Sequence, residues 1–591
     1  MPAGDRREQS GRRISRAVAD FRLYLAHADA LVGLCLIAAL AGLLTGVVIV
    51  AFRMLTESGL VWVGVIPEIE AYEALSPAWR LALPTAGGLV IGVLFQVVPV
   101  AARSVGPAHV MAQLANNGGR LPWSNAVLQF AGGAVSIISG HSVGREGPVI
   151  HVGAASASLL GQWMRLPNNS IRTLVACGVA ASIAASFNTP LAGVVFAMEV
   201  VMFEYTLAGF APVILAAVCA TSVSRLAFGP DPAFAVPHLQ LVSLLELPWV
   251  LMLGLAVGCL AAAYIAGIVR VERLSRRAPP WLRMTLAGAF TGVCALAAPE
   301  VMGLGYDTVQ LAMVGGIGLL SLVLIALLKL LATVACGGLG VPGGMIGPMV
   351  VIGATAGGAL GIVGDALVPA TGAAPAFYAM LGVAAMMGAS LHAPLAALTA
   401  ILELTANPNT LLPGMAAVIG AFLMSRVVFR QEPLFVSILQ ARGIEFRFDP
   451  VALALERTGV AAAMTRDFVV VDVKAGAPAA ARELAGRKAA AVLVDGDEIV
   501  GLRDGERFAQ AMIAAPADAQ VSGALDDSSH AFATVPLHAT LGEALGLLDA
   551  AGADAAVVCA ASTPRRRQLH GVITRQQIDR RVRYRAPRRP G

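Results

Sequence analysis

Gly144-Arg145-Glu146-Gly147-Pro148 places a charged pair between apolar stretches, and a second glycine-rich segment, Gly343-Gly344-Met345-Ile346-Gly347-Pro348, follows much later in the chain. Charged side chains inside a membrane region are costly and usually functional. Because glycine frees the backbone and proline suits the first helical turn, each segment predicts a chain break followed by a helix start. Two such breaks in corresponding positions indicate one shared transport site.

The composition of the chain is that of a polytopic membrane protein. Of its 591 residues, 57% are hydrophobic and only 13% are charged, which excludes an ordinary water-soluble globule. Apolar runs recur between residues 31 and 428, and some of them are shorter than the roughly 20 residues that a spanning helix needs. Runs broken by Gly or Pro, including one at Gly132-Gly133, predict re-entrant helices surrounded by protein.

Changes in composition along the chain predict five segments. They are a basic cytosolic arm (1–29), two membrane half-repeats (30–245 and 246–430), a linker (431–456) and a soluble α/β region containing two similar units (457–591). The excess of Arg before the first apolar run predicts a cytosolic N-terminus rather than a cleaved signal peptide.

The chemistry of the breaks favours an anion as the transported ion. The first turn of a helix has unpaired N–H groups and a partial positive charge, and glycine lets a ligand approach them. Acidic residues in the apolar runs are few, chiefly Glu146, Glu199 and Glu403, which argues against a divalent-cation pore.

The sequence has no nucleophile-and-base pair and no metal-ligand cluster that would indicate an enzyme. The net charge of +5 is attributed to the membrane flanks and not to a nucleic-acid surface.

Together with Phe187-Asn188-Thr189-Pro190-Leu191-Ala192-Gly193, the two glycine-rich segments resemble the CLC chloride channel and transporter family in order and spacing. The resemblance covers roughly residues 30–445 and includes Leu402-Glu403-Leu404-Thr405 and Pro433-Leu434-Phe435, and the tail resembles paired CBS domains. It implies an all-α polytopic membrane protein, an inverted repeat of tilted and re-entrant helices, followed by a C-terminal α/β CBS-pair cytosolic domain. It further implies a homodimer in the lipid bilayer of the cytoplasmic (inner) membrane, with both termini cytosolic.

The same resemblance assigns roles to individual residues. Glu146 matches the gating glutamate of the family, whose carboxylate occupies an anion position and leaves it when protonated or displaced by chloride. An ion pair with Arg145 is the alternative role for this side chain. The residues expected to bind the anion are Ser104, Gly106, Arg145, Gly147, Met345, Ile346, Gly347 and Phe435, several through backbone N–H groups. No metal and no cofactor is expected.

Two departures from the family pattern concern the anion. Val105 stands where the family has a serine, so the hydroxyl is missing or is displaced by one residue to Ser104, which alternatively caps a helix. Phe435 stands where the family has a tyrosine, and it can still serve as an apolar inner gate. Loss of one charge-assisted donor weakens binding by about 1 to 3 kcal/mol.

A third departure concerns protons. Antiporters of the family commonly carry a second, inner glutamate, and Val200 occupies that position here. Glu199 precedes it, but one residue is a rotation of about 100 degrees on a helix, so a structural role is expected for Glu199. Water, His141 or His151 are the alternative proton carriers.

The expected function is therefore chloride/proton exchange, or transport of a similar monovalent anion, through a glutamate-gated pore. A passive voltage-dependent chloride channel remains as an alternative, and a cation transporter regulated by CBS domains and a non-conducting receptor are the less favoured alternatives. In the tail, Gly571-Val572-Ile573-Thr574 partly matches the ribose-binding pattern of CBS units, which makes Thr574 a weak candidate for binding an adenine nucleotide.

Overall fold

A computed structural model describes Leu25 and residues 30–62, 71–231, 234, 241, 243–367, 374–444, 454–487, 489–516, 518–523, 531–560 and 565–585. Except for Leu25, the predicted basic arm (1–29) lies outside the described residues. The chain divides into two compact units, and the larger one contains Cys35–Leu160 and Arg172–Arg447.

The membrane part is helical, as its composition predicts. Among the described residues, eight helices are long and apolar enough to cross a membrane, and shorter apolar helices lie between them. The helices are α1 (Leu31–Trp62), α2 (Pro77–Val97), α3 (Pro107–Asn116), α4 (Trp123–Ile138), α5 (Glu146–Trp163), α6 (Asn168–Phe187), α7 (Pro190–Phe196), α8 (Leu207–Phe228), α9 (Leu247–Ser275), α10 (Pro280–Ala297), α11 (Tyr306–Met313), α12 (Leu319–Leu339), α13 (Ile346–Leu367), α14 (Pro375–Leu391), α15 (Pro394–Thr405), α16 (Leu411–Leu423) and α17 (Leu434–Ala441).

Two long apolar runs are each divided into two helices at corresponding places. Asn188 separates α6 from α7 and His392 separates α14 from α15, with φ angles of 59° and 54° in the left-handed region. A proline follows at the first position of the next helix in both cases, where its missing N–H has no cost. The same break in each half supports an internal repeat.

The chain break predicted at Gly132-Gly133 is wrong. Both glycines lie inside the continuous helix α4. They are required for packing, because a Cβ on Gly132 would lie 2.9 Å from Cγ of Pro342 and one on Gly133 would lie 2.6 Å from Cγ of Pro148. Glycine in a membrane helix can therefore indicate close packing against a neighbouring helix as well as a break in the helix.

The C-terminal region contains two units of the same βαββα order, which the alternating strand and helix pattern predicted. The first comprises β1 (Phe468–Asp472), α18 (Ala477–Leu484), β2 (Ala490–Asp495), β3 (Glu498–Arg503) and α19 (Gly505–Ala514), and the second comprises β4 (Ala533–Pro536), α20 (Leu541–Ala551), β5 (Ala555–Cys559), β6 (Leu569–Thr574) and α21 (Arg575–Arg585). In each three-stranded sheet the middle strand pairs parallel to the first strand and antiparallel to the third. Apolar side chains from β2, β3, β5 and β6 form one buried cluster that joins the two sheets.

Thr574 lies at the junction of β6 and α21. Its hydroxyl accepts the N–H of Gln577 at 3.3 Å, and the Gln577 side chain accepts the N–H of Thr574 at 2.8 Å. This reciprocal pair is a capping box, which satisfies free N–H groups at the start of the helix. The Thr574 side chain therefore has a structural partner.

Candidate functional site

The two glycine-rich segments meet in space although they lie in different halves of the chain. The N–H of Gly144 donates to the carbonyl oxygen of Gly344 at 2.7 Å, and the N–H of Gly344 donates to the carbonyl oxygen of Gly144 at 2.6 Å. Helices α5 and α13 begin just after these residues, so their N-terminal ends lie side by side. The partial positive charges of the two helix starts therefore reinforce each other.

Glycine is required here because the two backbones are in contact. A Cβ on Gly147 would lie 2.6 Å from the carbonyl oxygen of Gly343 and 2.8 Å from Cα of Gly344. A Cβ on Gly344 would lie 2.7 Å from the nitrogen of Gly147. Because these neighbours are backbone atoms that cannot rotate away, any larger residue would separate the two helix starts.

The Glu146 side chain lies at this junction and is only 3% exposed. Its Oε1 accepts the hydroxyl of Tyr306 at 2.6 Å, while Oε2 is buried and makes no hydrogen bond within the described part of the chain. A Cβ built on Gly344 would lie 2.6 Å from Oε2, and one on Gly347 would lie 3.0 Å from Oε1. The carboxylate thus occupies a space lined by glycine backbone at two helix starts, where an anion is electrostatically favoured.

The Arg145 side chain points to a different set of partners. Its guanidinium forms an ion pair with Glu57 and lies over the rings of Phe187 and Tyr306, at 4.8 Å and 5.2 Å from the ring centroids. Arg53 also binds Glu57, at 3.1 Å. Two guanidinium groups share one carboxylate, so this cluster carries a net positive charge, which favours anions nearby.

Two cavities lie on different sides of the junction. The larger, of about 300 Å³, is lined by Arg145, Glu146 and Ile346 among others. The smaller, of about 50 Å³, is lined by Gly106, Met345 and Phe435 among others. Because the consecutive residues Met345 and Ile346 line different cavities, the start of α13 separates the two spaces. Glu146 lines the larger cavity at this boundary.

Most of the predicted site residues come together at this place, but Ser104 does not. Its side chain is exposed and is absent from the described lining of both cavities, whereas Val105 lines the smaller one. The Ser104 carbonyl accepts the Asn125 side-chain amide at 2.8 Å. Ser104 is therefore placed to shape the turn before α3 and not to donate its hydroxyl into the cavity.

Gly106 is held by one of the predicted proton carriers. Its φ of +85° requires glycine, and its N–H donates to Nδ1 of His151 at 3.3 Å. Nε2 of His151 lies 3.3 Å from Nδ1 of His109, and His151 is fully buried. His141 is also fully buried, with its Nδ1 2.9 Å from the Ser139 hydroxyl. Both histidines thus have structural partners.

The site contains residues that the sequence did not single out. Tyr306 belongs to no recognisable sequence motif. Only the folded structure brings its hydroxyl to Glu146. Arg53 and Glu57 did carry a signal, because a charged pair four residues apart at the end of a long apolar run is costly in a membrane and usually functional.

A comparison with known families agrees with the geometry. The family model described as voltage gated chloride channel matches residues 87–426, more than half of the chain. The chain belongs to the CLC family. The matched range includes both glycine-rich segments and the junction that they form.

CLC relatives are found in several bacteria. The chain is 34% identical to a putative chloride channel protein ClcB-like from Ralstonia nicotianae, over 66% of this chain and 92% of the relative. It is 30% identical to the H(+)/Cl(-) exchange transporter ClcA of Vibrio cholerae, over 54% of this chain and 69% of the relative. These names describe transport proteins.

Solved CLC structures share the fold. A slow cyanobacterial Cl-/H+ antiporter superposes with a TM-score of 0.62 at 24% identity, covering 69% of this chain and 97% of the antiporter. A eukaryotic CLC transporter superposes with a TM-score of 0.60 at 17% identity, covering 92% of this chain and 97% of the transporter. The second match extends beyond the membrane helices into the C-terminal strands.

Glu199 and Glu403 cap each other's helices, in keeping with the structural role expected for Glu199. Glu199 accepts the N–H groups of Leu395 and Ala396 at 3.3 Å and 2.7 Å, at the start of α15. Glu403, on α15, accepts those of Leu191 and Ala192 at 3.0 Å and 2.7 Å, at the start of α7. A carboxylate at a helix N-terminus is favourable, and here the two contacts are related by the internal repeat.

Replacing Glu199 with Gln should therefore lower stability and leave proton coupling intact. Loss of the charge at the start of α15 is expected to cost about 1 kcal/mol. Thermal unfolding in detergent and the proton-to-chloride ratio in liposomes are the two measurements. Glu403→Gln is the matched control and should behave in the same way. Loss of proton transport in Glu199→Gln alone would contradict the capping role.

Proposed function

We propose that this protein exchanges chloride, or a similar monovalent anion, for protons across the membrane, with Glu146 as the gate. The observation that carries the proposal is the position of the Glu146 carboxylate, at the contact between two helix starts and in the wall of the larger cavity. The exchange activity in the name of the Vibrio cholerae relative supports proton-coupled exchange over passive conduction.

In this mechanism the ionised carboxylate and the transported anion compete for one position. The backbone N–H groups near Arg145, Gly147, Met345, Ile346 and Gly347 stabilise whichever negative charge is present. Protonation removes the charge of the side chain, so the carboxyl group leaves and an anion takes its place. Because Glu146 lines the larger cavity, its protonated side chain can move into that cavity and exchange its proton with water there.

The smaller cavity provides the other end of the anion path. We assign anion contacts to Gly106 and to the edge of Phe435, while Ser104 contributes through the turn before α3. The lining residues Val105 and Phe435 supply no hydroxyl where the family has serine and tyrosine. Weaker anion binding at this end is the specific reason to keep uncoupled chloride conduction as the second candidate.

The proposed assembly is a homodimer in the cytoplasmic (inner) membrane with both termini cytosolic. The division into segments 1–29, 30–245, 246–430, 431–456 and 457–591 belongs to the same proposal.

We identify the two βαββα units as a CBS pair, which is supported by their shared strand order and buried joint cluster. An adenine nucleotide is the candidate ligand of the pair, with Thr574 as a weak contact because its hydroxyl already caps α21.

Chloride-loaded liposomes containing the full-length protein test this function. Chloride efflux and external pH are recorded together, while potassium and valinomycin set the voltage. A chloride gradient should drive protons against their own gradient. Chloride flux without proton movement would replace exchange with the uncoupled alternative, and absence of flux for chloride and for nitrate would overturn the proposal.

A further inference from the structure

Tyr306 is a polar group at the gate for which the mechanism above has no role. It is the first residue of α11 and follows Gly305, whose φ of +76° turns the chain into the helix. Its hydroxyl donates to Oε1 of Glu146 at 2.6 Å. A hydrogen bond from a hydroxyl to an ionised carboxylate is charge-assisted and is roughly twice as strong as a bond between neutral groups.

The ring of Tyr306 is held on several sides. The rings of Phe187 and Phe234 meet it in edge-on contacts, with centroid distances of 6.1 Å and 5.9 Å. The Arg145 guanidinium lies over its face. These contacts fix the ring, so the hydroxyl is already held in position for the Glu146 carboxylate. Little side-chain conformational entropy is therefore lost when the hydrogen bond forms.

A buried lysine fixes the chain that leads to Tyr306. Nζ of Lys329, on α12, donates to the carbonyl oxygens of Val301 and Gly303 at 2.9 Å each, and Lys329 is fully buried. A Cβ on Gly305 would lie 3.3 Å from this Nζ. The ammonium group thus ties the segment before α11 to a membrane helix and thereby sets the position of the tyrosine.

We propose that Tyr306 is a positioning residue for the gate, whose hydroxyl holds the ionised Glu146 carboxylate in the closed position. The bond stabilises the closed, charged state, and it is lost when the side chain leaves the junction. Tyr306 therefore sets the pH at which the gate opens, while the chemistry of exchange stays with Glu146. This inference rests on the proposed gating role of Glu146.

Other charged and titratable groups near Glu146 also influence the pH dependence of the gate. The Arg145, Arg53 and Glu57 cluster and Asp231 line or flank the larger cavity. On the side of α13, the Tyr264 hydroxyl donates to the carbonyl oxygen of Met345 at 2.9 Å. The substitution of Tyr306 by Phe leaves all of these groups in place and removes one oxygen atom, so it isolates the contribution of the hydroxyl.

The test is chloride flux through Tyr306→Phe in liposomes, measured from acidic to neutral pH. Without the donor the ionised carboxylate is held less tightly, so we expect half-maximal flux to move to higher pH by about one unit, equivalent to a roughly tenfold shift in the gating equilibrium. The proton-to-chloride ratio should stay unchanged. Tyr306→Leu, which also lacks the hydroxyl, should shift the curve in the same direction and serves if Tyr306→Phe is unstable.

Tyr378→Phe is the matched control, because the Tyr378 hydroxyl donates to a different buried carboxylate, that of Glu246, at 2.8 Å. It should leave the pH curve of the wild type unchanged. In a Glu146→Gln background, Tyr306→Phe should produce no further change in pH dependence. A shift of the same size in that background, or a Tyr306→Phe curve identical to that of the wild type, would overturn the inference.

The inference and the proposed function fail in different ways. If the wild-type protein moves chloride without protons, exchange is refuted, but the shift caused by Tyr306→Phe still reports on the gate. If the wild type exchanges chloride for protons and the tyrosine variants match it, only the role of Tyr306 is refuted. Absence of any anion flux in the wild type would overturn both.

Discussion

Glu146→Gln is expected to abolish proton coupling while chloride flux continues. The amide is neutral at all working pH values, so it mimics the protonated gate and does not compete with the anion as a carboxylate does. A pH gradient should then fail to move chloride, and a chloride gradient should fail to move protons. Simultaneous recording of chloride and external pH in liposomes measures both.

The control for this substitution is Glu403→Gln, which also neutralises a carboxylate on a membrane helix. Glu403 caps α7 and should keep the wild-type proton-to-chloride ratio. Chloride movement driven by a pH gradient through Glu146→Gln would exclude Glu146 as the coupling group. Another proton carrier would then have to be sought.

Gly147→Ala is expected to reduce anion flux by at least about tenfold. The added methyl group would lie 2.6 Å from the carbonyl oxygen of Gly343 and 2.8 Å from Cα of Gly344, so the two helix starts must move apart. Overpacking of this kind costs about 1 to 3 kcal/mol, and the displacement occurs where the anion must bind. Initial chloride efflux rates at equal protein density in liposomes measure the loss.

Gly358→Ala is the matched control, because it adds the same methyl group to helix α13. Its nearest neighbours would be side-chain atoms of Leu322 and Ala379 at 3.4 Å and 3.6 Å, which is ordinary contact. It should retain wild-type flux. If Gly147→Ala also transports at the wild-type rate, close contact of the two helix starts is not needed for transport.

Residue patterns predicted much of the site because the groups expected to bind the anion are backbone N–H groups at helix starts. The segments around Glu146 and Ile346 contain the glycines and prolines that a helix start near an anion needs, and these residue types can be read from a single sequence. The pattern was misleading at Gly132-Gly133, where glycine serves helix packing inside α4. Glycine alone does not distinguish a break from a close contact.

Side-chain partners from distant segments could not be predicted in the same way. Tyr306 reaches Glu146, and Glu199 caps a helix that begins at Pro394, with no shared motif between the partners. Ser104 was a reasonable candidate by position, yet its side chain is exposed and Val105 faces the smaller cavity. A shift of one residue in a turn changes which side chain faces a cavity, and sequence spacing does not determine that direction.

The sequence by itself determined the membrane class, the two glycine-rich helix starts and the two-unit tail, because hydrophobicity, glycine, proline and strand alternation act locally. The gate candidate came from the resemblance of Gly144-Arg145-Glu146-Gly147-Pro148 to the CLC family. Only the tertiary structure decided that the two helix starts bond to each other, that Glu146 lines a cavity at their contact, and that Tyr306 binds its carboxylate. These contacts join residues far apart in the chain, and their geometry depends on the packing of whole helices.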